Sequence, residues 1–123
     1  MASISQLPTP VDLDLSVATS LSNATLRQRI AEYGDCLEAP EPDEWFPNEP
    51  TSEEARTAYE QTARELCADC PVIAECLERA LRLEAVPYVV PHGIFGGTAP
   101  WTRRAINRNR RRRAYAGAME VSA

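Results

Sequence analysis

The chain has 123 residues, of which 44% are hydrophobic and 25% are charged, and its formal net charge is −5. This length suits one small domain, and no apolar run approaches the roughly 20 residues that cross a bilayer, which excludes a membrane-spanning protein. The charge is uneven: residues 1–100 hold six arginines and 17 acidic residues, whereas residues 101–123 hold seven arginines and one acidic residue. An acidic body with a basic tail predicts two different partners, or a polyanion at one end.

The first 21 residues are polar and contain Pro8 and Pro10. This composition predicts a flexible N-terminal arm over residues 1–21. No basic start or continuous apolar run typical of a signal peptide is present, so we expect a cytoplasmic protein with reduced cysteines.

A first helix is predicted from Ser22 or Asn23 to about Tyr33, where Gly34 ends it. Its buried face is expected to hold Leu26, Ile30 and Tyr33. Residues 39–50 then contain four prolines, which exclude a helix or a central strand there.

A second helix is predicted to begin with Thr51 and Glu54, which have the spacing of a capping box. Its buried stripe follows helical spacing through Ala55, Ala58, Tyr59, Thr62, Ala63, Leu66, Cys67 and Cys70. Pro71 suits the first turn of a third helix, which is expected to end by Pro87. The third helix is expected to present Ile73, Cys76, Leu77, Ala80 and Leu81 inward.

Residues 92–97 place three glycines around two large apolar side chains, Ile94 and Phe95. This pattern predicts a tight turn with positive φ angles. Two interpretations stay open: Phe95 fills the core, or the turn covers a metal site and presents apolar surface to a partner. His92, the only histidine, is interpreted as a turn residue and not a ligand. Thr98 is predicted to cap a last helix that runs through the arginines.

Cys36, Cys67, Cys70 and Cys76 are the only cysteines, with the spacing C-x30-C-x2-C-x5-C. Four thiolates can complete the coordination shell of one metal centre. Disulfides are disfavoured in a reducing compartment. Four-cysteine zinc sites usually pair two short knuckles, whereas only one is present here. An iron–sulfur cluster tolerates uneven spacing and is favoured. Such a centre would staple a core that is small for independent folding.

Three parts of the chain together resemble the WhiB-like family of actinobacterial and actinophage regulators. They are Cys36 upstream of the run Cys67-Ala68-Asp69-Cys70-Pro71-Val72 with Cys76, the turn Gly93-Ile94-Phe95-Gly96-Gly97, and the basic C-terminal segment. The segment Glu44-Trp45-Phe46-Pro47 also resembles an acidic–aromatic segment of the family. The match extends from about Cys36 to Arg113. The resemblance implies an all-α fold, a small bundle of about four helices organised around a 4Fe-4S cluster with all four cysteines as ligands. The cluster domain would cover residues 22–100, and a basic helix and tail residues 101–123.

The resemblance also implies binding to the C-terminal region 4 domain of the primary sigma factor within RNA polymerase holoenzyme. Residues expected at this contact are Trp45, Phe46, Ile94, Phe95, Gly96 and Gly97. Phe95 stands where the family usually has tryptophan, and Trp101 is interpreted as a replacement aromatic. Members bind no other cofactor and are mostly not enzymes, so neither a small-molecule substrate nor a membrane is expected as a partner. Sensing of oxygen or nitric oxide by the cluster is a hypothesis.

The basic tail is expected to contact promoter DNA. The candidate residues are Arg103, Arg104, Arg108, Arg110, Arg111, Arg112 and Arg113. On a helix they would surround the axis, which suits phosphate contacts without fine sequence selection. A purely solubilising role is the alternative.

Three functions therefore compete. The favoured one is an iron–sulfur transcription regulator bound to a sigma factor, and the second is a zinc-stabilised DNA- or protein-binding module. The third is a dithiol oxidoreductase that uses Cys67 and Cys70, ranked last because no βαβ pattern surrounds the pair.

Overall fold

A computed structural model describes residues 13–34 and 42–122. Its elements are α1 (Ser16–Thr19), α2 (Asn23–Tyr33), a 3₁₀ turn (Pro42–Trp45), α3 (Glu53–Cys67), α4 (Ile73–Leu83) and α5 (Pro100–Ser122). Within these ranges the structure is all-α, as predicted, with one short helix more than expected. No helix in the described ranges combines the length and apolar character needed to cross a membrane.

The extra helix, α1, lies within the segment predicted as a flexible arm. Ala18 is buried, and α1 packs against α4. The guanidinium of Arg82 donates to the carbonyl oxygen of Thr19 at 3.1 Å. The Asp14 carboxylate accepts a hydrogen bond from the Ser16 N–H at 2.9 Å, which lowers the pKa of Asp14. The arm prediction is therefore wrong for residues 16–19, while residues 1–12 lie outside the described chain.

Both ends of α2 agree with the sequence. The Ser22 hydroxyl accepts a hydrogen bond from the Thr25 N–H at 3.1 Å, and the N–H of Gly34 caps the other end. Leu26 is completely buried between α2 and its neighbours. Tyr33, which was predicted on the buried face, is 57% exposed because it closes the last turn at the edge of the bundle.

The start of α3 differs from its prediction by one residue. Ser52, not Thr51, is the N-cap, and its hydroxyl accepts from the Ala55 N–H at 3.1 Å. The adjacent hydroxyl residue provides the same capping chemistry. Ala55 and Ala58 are exposed, because the first turns of α3 extend beyond the bundle. The buried residues of α3 are Tyr59, Ala63 and Cys67.

The centre of the bundle is α4, which contacts α1, α2 and α5. It begins at Ile73, two residues after the proline that was predicted to start it. Leu77, Ala80 and Leu81 are buried as predicted. Glu78 is also buried, which the sequence analysis did not anticipate.

Helix α5 packs on α4 through polar side chains. Arg103 binds the Glu84 carboxylate at 2.7 Å, Asn107 donates to a main-chain carbonyl of α4 at 3.0 Å, and Arg110 binds Glu78 at 2.7 Å. The three α5 residues are four and three positions apart, so they form one stripe on the helix. This stripe fixes the direction of the basic helix against the bundle.

Glu78 is 2% exposed and is the acidic centre of this contact. Its carboxylate binds Arg110 at 2.7 Å and Arg82 at 2.8 Å. Burial by itself raises the pKa of Glu78, but the hydrogen bonds and charges of Arg110 and Arg82 outweigh burial and lower it. The carboxylate therefore stays ionised and joins α4 to α5.

Glu78→Gln is expected to lower the free energy of unfolding at pH 7 by about 1–3 kcal/mol. The loss should lie near the lower end of this range, because Arg82 and Arg110 are partly solvated. Since the folded-state pKa lies below the unfolded value of about 4.3, the ionic contribution is complete above that pH. It disappears as the pH falls through the folded value. Urea unfolding followed by circular dichroism should show the wild-type advantage shrinking below about pH 4.3. Glu120→Gln, on an exposed turn of α5, is the control. An advantage that does not vary with pH would contradict this account.

Candidate metal centre

Three cysteines line a single apolar cavity, here named the cysteine cavity. Cys67 ends α3, Cys70 lies in the following turn, and Cys76 lies in the first turn of α4. The cavity has a volume of about 160 Å³. Apolar protein cavities of roughly 150 Å³ hold a ligand the size of benzene. The other lining residues are Ile30, Gly34, Trp45, Phe46, Val72, Ile73, Ile94, Phe95 and Gly96. Cys36, the fourth predicted ligand, lies outside the described residues.

Local backbone structure brings these cysteines to the cavity. The expectation that Cys67 and Cys70 share one helical face is wrong, because α3 ends at Cys67. A turn follows, in which the N–H of Cys70 donates to the carbonyl of Cys67 at 3.1 Å. Pro71 then separates the two helices. Cys67 is 5% exposed, and Cys70 and Cys76 are half-buried.

The glycine turn forms one wall of the cavity. As predicted, its glycines have positive φ angles: 76° at Gly93, 58° at Gly96 and 72° at Gly97. A Cβ at Gly96 would overlap the side chain and backbone of Leu77, so only glycine allows this approach to α4. Thr98 does not cap α5: its hydroxyl donates to the carbonyl of Phe95 at 2.6 Å and closes the turn, while α5 begins at Pro100.

The 3₁₀ turn supplies an aromatic wall. The N–H of Ile94 donates to the carbonyl of Trp45 at 2.7 Å and joins the two segments. The rings of Phe46 and Phe95 meet edge to face, with centroids 6.2 Å apart. Ile94 is buried, Phe95 is half-buried and Phe46 is 48% exposed. Ile94, not Phe95, is thus the residue of the turn that fills the core, while Phe95 lies half-buried at the cysteine cavity.

Trp101 lies apart from the other residues predicted to bind a sigma factor. Its indole N–H donates to the Glu60 carboxylate at 2.9 Å, and its ring lies 5.0 Å from that of Tyr59. The guanidinium of Arg56 also stacks on the Trp101 ring, with its central carbon 4.8 Å from the ring centroid. Burial raises the pKa of the Tyr59 hydroxyl, and the nearby Glu49 charge adds to this effect. Trp101 therefore packs on α3, does not line the cysteine cavity, and is not placed to replace a tryptophan at Phe95.

Trp45 carries an unused hydrogen-bond donor. Its indole N–H is buried and has no acceptor in the described part of the chain. Buried polar groups are almost always hydrogen-bonded, and leaving one unpaired costs about 1–3 kcal/mol. An acceptor held in the adjoining cavity would satisfy this N–H.

Arg103 is fully buried beneath the glycine turn. It donates to the Glu84 carboxylate at 2.7 Å, to the carbonyls of Gly93 and Thr98 at 2.9 Å, and to the carbonyl of His92 at 3.2 Å. The hydroxyl of Thr98 accepts a further bond at 3.0 Å. The five N–H groups of the guanidinium are thus all used inside the protein. The prediction that Arg103 contacts DNA is therefore wrong, because the side chain holds the turn against α4 and α5.

The other tail arginines divide into two groups. Arg110 is committed to the buried Glu78. Arg104, Arg108 and residues 111–113 are exposed, and no carboxylate of the described chain pairs with them. The structure thus leaves five arginines of the predicted set open to solvent.

The cysteine cavity places three soft sulfur atoms among apolar side chains. Such ligands select iron–sulfur clusters, zinc or copper(I), and not magnesium or calcium. Among the described residues, no group of three or more His, Cys, Asp or Glu side chains is arranged to hold a metal ion. Cys67, Cys70 and Cys76 thus share the cavity without forming such a group among the described residues.

Comparison with known proteins identifies the family. A model of the family described as transcription factor WhiB matches residues 31–106. The transcriptional regulator WhiD of Streptomyces coelicolor is 36% identical over 69 residues, which cover 56% of this chain and 57% of WhiD. The redox-responsive transcriptional regulator WhiB3 of Mycolicibacterium smegmatis is 38% identical over 52 residues, which cover 42% of this chain and 49% of WhiB3.

The chain thus matches about half the length of these curated relatives. No solved structure matches it significantly. Because the family match covers most of the chain, including three cysteines of the cavity and the glycine turn, this protein belongs to the WhiB family of transcription factors.

Proposed function

We propose that this regulator holds a 4Fe-4S cluster through Cys36, Cys67, Cys70 and Cys76. The carrying observation is that three of these cysteines line one apolar cavity. Gly34 also lines it, and Cys36 follows two residues later.

The residues around the cavity fit an anionic sulfur-rich group. Four thiolates on a four-iron core in its common oxidation state carry a total charge of −2. The buried N–H of Trp45 finds no acceptor among residues 13–34 and 42–122, and α4 begins beside the cavity with its positive dipole end. Ile94 and Phe95 exclude water from the sulfur ligands. When bound, such a cluster supplies one-electron redox chemistry and reactivity towards oxygen or nitric oxide, which are the basis of the sensing hypothesis.

The proposed protein partner is region 4 of the primary sigma factor within RNA polymerase holoenzyme. The contact would form at the edge of the cysteine cavity, where Phe46 is 48% exposed beside Phe95. A large, partly exposed aromatic side chain next to a buried apolar site is a typical interface anchor. Trp45, Ile94, Gly96 and Gly97 would support this surface from below, whereas Trp101 lies outside it.

Phe46→Ala is expected to weaken binding to the isolated sigma C-terminal domain by about tenfold to a hundredfold, since interface anchors contribute about 2 kcal/mol or more. The two domains would be co-expressed without oxygen and their affinity measured by calorimetry. Tyr115→Ala, which removes a 69% exposed aromatic from α5, is the matched control. Equal affinities of the wild type and Phe46→Ala would refute this contact.

The exposed tail arginines are proposed to bind promoter DNA through its phosphates. Replacing Arg111, Arg112 and Arg113 together by glutamine should reduce the slope of log affinity against log salt by about 2–3, since each phosphate contact contributes about 0.9. Fluorescence anisotropy of a labelled promoter duplex at several salt concentrations measures this slope. Arg56→Gln, on an exposed part of α3, is the control. An unchanged slope would favour the purely solubilising role.

A further inference from the structure

The loop between α4 and α5 exposes apolar side chains at an unusual density. Val86 is 36% exposed, Tyr88 is 84% exposed and Val90 is 76% exposed. Single exposed apolar residues are common, but a contiguous exposed patch marks an interaction site. None of these three residues lines the cysteine cavity.

Hydrogen bonds within the loop and from Arg103 hold the loop between α4 and α5 in place. The N–H of Val89 donates to the carbonyl of Val86 at 3.2 Å, which closes a turn with Pro87 at its second position. Arg103 binds both ends of the loop, through the Glu84 carboxylate and the carbonyl of His92. A braced loop loses little conformational entropy when a partner binds it.

A groove of about 440 Å³, here named the loop groove, separates this loop from α5. Its loop side is lined by Glu84 and Ala85 at the end of α4 and by Val86, Pro87, Val89 and Pro91, and its helix side by Arg104, Asn107 and Arg111. Of the three exposed side chains named above, only Val86 lines the groove. Arg104 and Arg111 are seven positions apart and share one face of α5. No carboxylate in the described ranges forms an ion pair with either of them. The Glu84 carboxylate in the groove is paired with Arg103, so the groove combines apolar loop side chains with two arginines that have no ion-pair partner in the described ranges.

We propose that the loop groove binds an acidic, amphipathic peptide segment of a protein partner. Carboxylates of the segment would pair with Arg104 and Arg111, and its apolar side chains would pack on the valines and prolines of the loop. Tyr88 would add an aromatic contact at the rim. A protein fits better than DNA because the apolar wall gains nothing from a phosphate backbone, whereas apolar side chains bury it favourably.

This inference is independent of the sigma contact and of the cluster, because the loop groove and the cysteine cavity share no lining residue. Arg104 and Arg111 also belong to the arginines proposed to bind DNA, so the peptide and DNA would compete for them. The probe is a synthetic helix-forming peptide of about four turns, with leucine at helical spacing on one face and glutamate elsewhere. One matched peptide has lysine in place of glutamate, and another has serine in place of leucine. A labelled duplex of arbitrary sequence tests the DNA alternative.

Titration of the isotope-labelled full chain, followed by amide NMR shifts, should locate the acidic peptide at residues 85–91 and 104–111. Tyr88→Ala and Arg104→Gln should each weaken its binding by about tenfold, as expected for interface anchors. Both residues are exposed, so the fold is expected to survive, and circular dichroism would verify this. The lysine and serine peptides should bind at least about tenfold more weakly.

Three results would overturn the proposal. The first is no shift in the loop at millimolar acidic peptide, and the second is equal binding of the serine peptide. The third is a loss of duplex binding in Tyr88→Ala while peptide binding is unchanged, which would assign the groove to DNA. Loss of sigma binding in Phe46→Ala would leave this test unaffected, so the two proposals fail separately.

Discussion

Cys70→Ser is expected to abolish cluster binding and to leave the purified chain largely unfolded. Cys70 lies in the turn between α3 and α4 and is a proposed ligand, so losing its thiolate would remove one cluster link between the two helices. A small domain has a marginal core, to which a metal centre adds stability. Structural metal centres contribute on the order of 10 kcal/mol to such folds. The same substitution at Cys36, Cys67 or Cys76 should have the same effect.

This prediction is checked by iron analysis and far-ultraviolet circular dichroism on oxygen-free material. Ala68→Ser, an exposed position in the same turn, is the matched control and should keep both iron and helical signal. A Cys70→Ser protein with wild-type helicity and cooperative unfolding would show that folding does not depend on the cluster.

Arg103→Ala should lower the free energy of unfolding by about 3–5 kcal/mol, the range for removing one partner of a buried ion pair. The substitution leaves the Glu84 carboxylate, with 9% of its side chain exposed, without its cation. It also removes the donors that hold the carbonyls of His92, Gly93 and Thr98. We expect the glycine turn to loosen and the cavity to admit water.

Chemical unfolding of the oxygen-free protein measures this loss. Arg104→Ala is the matched control. Arg104 is the exposed neighbour of Arg103, so its replacement should change the free energy of unfolding by no more than about 0.5 kcal/mol. Arg103→Lys should recover only part of the loss, because an ammonium group lacks the planar fork that meets all these acceptors. Equal stability of the two alanine variants would contradict the structural role of Arg103.

Local features of the fold were readable from the sequence because they depend on neighbouring residues. Ser22 and Gly34 bound α2 as predicted, through side-chain and backbone capping. The three glycines of residues 92–97 adopt the positive φ angles that their pattern demands. The buried positions of α4 followed directly from helical spacing. Cys67, Cys70 and Cys76 line one cavity, while the metal site expected from the sequence stays a prediction and Cys36 lies outside the described chain.

The errors arose where tertiary contacts override local pattern. An arginine run suggested a uniformly exposed helix, yet Arg103 and Arg110 turn inward to meet Glu84 and Glu78. The helical spacing of Arg103, Asn107 and Arg110 places these three side chains on one face of α5. Their burial could not be predicted from this spacing, because it depends on the acidic side chains of α4 that face them. Likewise, the apolar stripe of α3 could be read from the sequence. The sequence did not show that the first turns of α3, with Ala55 and Ala58, extend past the bundle and are exposed.

The most direct test of the account is the content of iron, zinc and acid-labile sulfide in the full chain purified without oxygen. The proposed 4Fe-4S cluster predicts about four irons and four sulfides per chain, a brown colour and absorption near roughly 400 nm. Well-folded protein that lacks sulfide, or that holds about one zinc per chain, would contradict the proposal that these cysteines hold an iron–sulfur cluster.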